Sequence, residues 1–122
     1  MGKAINRDYG FLFSVGAEQE VAALCPGGEI ARLRDMIGAG GSAAIDFTVD
    51  LICILSRWHE KARAFELGTG YEERPLTREE ILLLPLPAFK ALQAEALAAM
   101  LRDKQQTVEA EPEKKSAAPK LS

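Results

Sequence analysis

Tyr9, Phe11, Phe13 and Val15 fall at every second position, the period that lines one face of a strand. Asn6, Arg7 and Asp8 before them read as a turn, and Ala4 and Ile5 as the other half of a short β-hairpin. The period then changes to that of helices. Ala17 to Leu24 carries Val21 and Leu24 on one face and is stopped by Cys25-Pro26-Gly27-Gly28. Glu29 to Ile37 repeats Ile30, Leu33 and Ile37 at helical spacing and stops at Gly38-Ala39-Gly40-Gly41. Ser42 stands where an N-cap would open a long third helix, Ala43 to Leu67, closed by Gly68.

That long helix has two apolar stripes. One is Ile45, Val49, Ile52 and Leu55; the other is Phe47, Leu51, Ile54, Trp58, Ala62 and Phe65. A surface helix carries one apolar face, so a helix with two adjoining ones is expected at the centre, with the other elements around it. After a polar loop, Thr77-Arg78-Glu79-Glu80 has the form of a capping box. Pro85 ends the short helix so opened, and Pro87 suits the first position of a last one, Ala88 to Lys104. Its apolar face includes Phe89, Leu92, Leu97 and Met100, which either close the core or receive an amphipathic helix from a partner. From Gln105 to Ser122 the chain is polar, with Pro112 and Pro119, and reads as a disordered tail. The expected architecture is therefore mainly α: a small helical domain over residues 1–104 with a short N-terminal β-hairpin, and a tail over 105–122.

Composition narrows the function. The 122 residues suffice for one small domain, and 48% are hydrophobic, as in ordinary globular proteins. Fifteen basic against eighteen acidic side chains leave a net charge of −3, without the basic excess that phosphate binding requires, so no nucleic acid is expected as a partner. Two cysteines and one histidine do not make a zinc site of the usual four ligands. Cys25 and Cys53 read as reduced thiols. No apolar stretch resembles a signal peptide or a membrane span, which predicts a cytoplasmic protein with no membrane partner.

Candidate chemistry is sparse. His59 has only Glu60 beside it, and helix neighbours do not face each other. Gly38-Ala39-Gly40-Gly41-Ser42-Ala43 fits G-x-G-x-x-A in form, but helical residues precede it where a dinucleotide site needs a strand. Glu79 and Glu80 are explained by the helix start they occupy. No catalytic residue, cofactor or metal is assigned, and a binding module is expected rather than an enzyme.

The order of parts resembles the small tail assembly chaperones of long-tailed bacteriophages and prophages. The matching features are the opening segment Ile5-Asn6-Arg7-Asp8-Tyr9-Gly10-Phe11-Leu12-Phe13-Ser14-Val15-Gly16, the helix that follows from Ala17, and Ala44-Ile45-Asp46-Phe47-Thr48-Val49 opening a long helix. Pro75-Leu76-Thr77-Arg78-Glu79-Glu80-Ile81 then leads to a last helix and a lysine-containing tail. The resemblance implies a non-enzymatic protein of the host cytoplasm. It would bind the tape measure protein, help recruit tail-tube proteins, and leave before the particle is finished; self-association stays open. It also implies a longer second product made by ribosomal frameshifting. Glu113-Lys114-Lys115 permits the slippery heptamer A-AAA-AAG. The rival readings are a permanent phage protein such as a head–tail connector or tail-completion factor, a small enzyme using His59 with Cys25 or Cys53, and an acidic regulator.

Overall fold

The computed structural model describes residues 5–110, with side chains as far as 104. Five α-helices follow an irregular N-terminal strap, residues 5–14: α1 Val15–Leu24, α2 Leu33–Gly38, α3 Gly41–Leu67, α4 Arg78–Leu82 and α5 Leu86–Ala110. Short 3-10 turns, Pro26–Gly28 and Ile30–Arg32, lead from α1 into α2.

The 27-residue α3 is the axis of the fold. Helices α1, α2, α4 and α5 all pack on it, as its two apolar stripes require. Val49, Leu51, Ile52 and Leu55 are fully buried, joined by Val21 of α1, Ile81 of α4 and Leu92 of α5. The second stripe ends early: Phe65 is 90% exposed, beyond Glu60, the last buried residue of α3.

Local chemistry sets the helix ends. Ser14 caps α1 by accepting from the Ala17 N–H at 3.2 Å. The capping box at Thr77 forms in both directions, the Thr77 hydroxyl accepting from the Glu80 N–H and Glu80 accepting from the Thr77 N–H. Gly68 closes α3 at φ +87°, a backbone region that side chains resist.

Four expectations need correction. The β-hairpin does not form: among the described residues there is no strand, and Ala4 lies outside them. Ladder hydrogen bonds are replaced by bonds to helices, with the Leu12 N–H donating to the Leu55 carbonyl inside α3 at 3.1 Å. The second helix is shorter than Glu29 to Ile37, because its first turn is 3-10. Ser42 is not a cap. α3 starts at Gly41, with Gly40 and Gly41 at φ +74° and +76° making a tight reversal that only glycine allows cheaply. Finally, α5 begins at Leu86 and runs to Ala110, six residues past Lys104, so the first part of the expected tail is helical. The remainder of that tail, with Glu113-Lys114-Lys115, lies outside the described residues.

Candidate interaction surfaces

The strap carries most of the long-range polar bonding. Its Arg7 donates through Nε and Nη2 to the two Glu80 carboxylate oxygens, at 2.8 and 3.0 Å. The same guanidinium donates to the carbonyls of Arg74 and Pro75 at 3.0 and 3.1 Å, tying the strap to the loop before α4. The Arg7 hydrogen bond, and the Thr77 amide behind it, hold the Glu80 carboxyl down at about 2. Farther along, the Tyr9 hydroxyl donates to Glu95 at 2.7 Å, and the Phe13 N–H to Asp103 at 2.8 Å. Arg102 bonds both Asp103 and the Phe11 carbonyl. Burial pushes the Asp103 carboxyl up, but Arg102 and the Phe13 amide outweigh it and leave it below the ordinary range.

Two glycines let the strap and α1 approach α3. A Cβ on Gly10 would stand 2.4 Å from Cε1 of His59, and one on Gly16 2.4 Å from the Trp58 ring. His59 is thus a packing partner of the strap. It lines a polar cleft of about 490 Å3 together with Arg7, Asp8, Glu60, Arg63, Tyr71 and Arg74. Glu60, only 6% exposed, accepts from the Tyr71 hydroxyl at 2.5 Å and from the Arg74 N–H at 2.9 Å. Burial raises the affinity of its carboxyl for a proton, yet these donors and the neighbouring His59 and Arg63 side chains bring it below the usual value. Glu60 is therefore an ionised clamp for the loop after α3, with its charge spent on the fold.

Neither cysteine lines that cleft. Cys25 is buried and its thiol faces the Val21 carbonyl; Cys53 is half-buried. Burial pushes both thiols up, away from the thiolate that nucleophilic chemistry needs. Among the described residues no group of three His, Cys, Asp or Glu side chains is placed to hold a metal, and no helix is long and apolar enough to cross a membrane.

The four residues of α5 singled out by spacing divide into two pairs. Phe89 and Leu92 are buried in the core, so in this conformation a partner does not meet them. Leu97 and Met100 are half-buried at its edge. A cluster of exposed leucines lies elsewhere, at the α4–α5 corner, where Leu82, Leu83 and Leu86 are each more than half exposed. Sequence reasoning passed over it because Pro85 and Pro87 marked that stretch as a boundary. A run of leucines with no helical partner residue among them was the available signal. No protein-family model matches the chain, and no curated protein or solved structure is significantly similar to it.

Proposed function

We propose that this chain is a tail assembly chaperone of a long-tailed bacteriophage or prophage, which holds the tape measure protein during tail assembly and helps bring in tail-tube subunits. The sequence layout supports the reading, and the corner leucines are the observation that carries it furthest. Leu82, Leu83 and Leu86 project from a segment stiffened by two prolines, directly after the Pro75-to-Ile81 stretch on which the resemblance rests. Contiguous exposed apolar groups mark interaction sites, and a long helical client with an apolar stripe is a suitable occupant. The half-buried edge of Leu97 and Met100 extends the candidate surface along α5.

Co-expression tests this. The tape measure protein should stay in solution and co-purify with the wild-type chain. A Leu83→Asp, Leu86→Asp double variant should lose it while largely keeping its melting temperature, since both side chains are more than half exposed. Client that remains in solution equally well without the chain contradicts the reading. The second product is tested on the gene: the last twenty or so codons, the extent of the polar tail, should contain a slippery heptamer followed by an open −1 frame.

A further inference from the structure

Helix α5 is apolar on two sides. Its inner edge, Phe89, Leu92, Ala96 and Ala99, is in the core. On the outer side, every exposed residue between Lys90 and Arg102 is Ala or Leu: Ala91, Ala94, Ala98 and Leu101. Their spacing of three, four and three is the heptad spacing of paired helices. A helix facing only water carries charge there instead. Beside Ala98 lies an apolar groove of about 470 Å3, walled by Tyr9, Gly10 and Phe11 of the strap and by Ala98 and Ala99, with Glu95 and Arg102 also lining it.

We propose that a second copy of this chain covers this face, α5 against α5 in antiparallel order. Two features select that occupant. The first is size. Antiparallel pairing sets Leu101, 60% exposed, opposite Ala98 of the second copy, and the reverse, so that each leucine enters the groove beside the other's alanine. Parallel pairing would stack leucine on leucine and alanine on alanine, giving layers of unequal thickness. The second is charge. The same register brings Glu95 opposite Arg102 of the second copy, twice by symmetry. Among the described residues both groups keep capacity for it: Tyr9 bonds Oε1 of Glu95, and Arg102 uses Nε and Nη2 internally, leaving Oε2 and Nη1. Small side chains along the seam let the axes close to about 8 Å. The proposal does not rest on the tail-assembly reading.

Sedimentation equilibrium of the full chain, from about 1 to about 500 μM, spans the affinities of interest. It should show a monomer–dimer equilibrium. Ala98→Glu should weaken it by about tenfold or more, while circular dichroism, and the melting temperature measured at concentrations where both chains are monomeric, stay unchanged because residue 98 is exposed in the single chain. In a Cys53→Ser background, Ala98→Cys mixed with Leu101→Cys should form the mixed disulfide faster than either variant forms its own. A chain that stays monomeric throughout, or a dimer indifferent to Ala98→Glu, overturns the proposal. Preferred 98-to-98 disulfides overturn the antiparallel order.

Discussion

Arg7 and Glu80, 73 residues apart, meet fork to fork, with Nε to Oε2 at 2.8 Å and Nη2 to Oε1 at 3.0 Å. Two planar groups in this arrangement make the strongest kind of surface ion pair. Glu80 also receives the Thr77 N–H, so one carboxylate caps α4 and latches the strap.

That latch gives a pH dependence with a definite sign. The Glu80 carboxyl is held at about 2, below its value in the unfolded chain. Its contribution is therefore fully present above about pH 4.5 and fades as pH falls through 2. Both partners are partly solvated, so the contribution is about 1 kcal/mol after solvent screening. Glu80→Gln should lower the melting temperature at pH 7 and flatten its fall between pH 4.5 and 2. Equal acid sensitivity in the variant and the wild type would contradict the latch.

Gly10→Ala should destabilise by about 1–3 kcal/mol, the usual cost of overpacking, because its Cβ would stand 2.4 Å from His59. Shortening the obstacle should relieve it. In a denaturant double-mutant cycle, Gly10→Ala should cost clearly less in a His59→Ala background than alone. Simple additivity would mean that the two do not touch.

Asp103→Ala should cost about 1–3 kcal/mol, since it leaves the Phe13 N–H without its acceptor and Arg102 without its carboxylate. Hydrogen exchange locates the effect: the Phe13 amide should lose protection first, while the centre of α3 keeps it at low denaturant. Uniform loss across the domain would argue against a separable strap.

The centre and the C-terminal end of α3 should respond very differently. Ile52 is fully buried, so Ile52→Asp places an unpaired charge in the core and should unfold a domain of ordinary stability, a few kcal/mol being most of its margin. Phe65→Ser, at a site 90% exposed, should change stability by less than about 0.5 kcal/mol. Far-UV circular dichroism at 25 °C separates these outcomes.

The five helices, the Thr77 capping box and the end of α3 were legible because their signals are local: Thr77 and Glu80 lie three residues apart, and Gly68 marks the end of α3 by itself; the N-caps at Ser14 and Gly40 were not. The central place of α3 was legible from its doubled stripe. The strap was not. Alternating Tyr9, Phe11 and Phe13 report which side faces the core, but a period of two does not say whether the backbone pairs with a strand or with a helix carbonyl and the Asp103 carboxylate. The Arg7–Glu80 pair was invisible because its contact joins distant parts of the chain, and the Glu60–Tyr71 pair because it depends on how an irregular loop folds back on α3. On α5, spacing pointed to Phe89, Leu92, Leu97 and Met100, yet two faces of that helix are apolar, and spacing alone does not tell which one the core takes.

The central claim, that the chain acts during tail assembly and then departs, is tested most directly by quantitative mass spectrometry of purified phage particles beside the extract in which they form. The chain should accompany the tape measure protein in the extract and be absent from finished particles. A fixed copy number in the particle would contradict the claim and make the chain a permanent part of the tail or its connector.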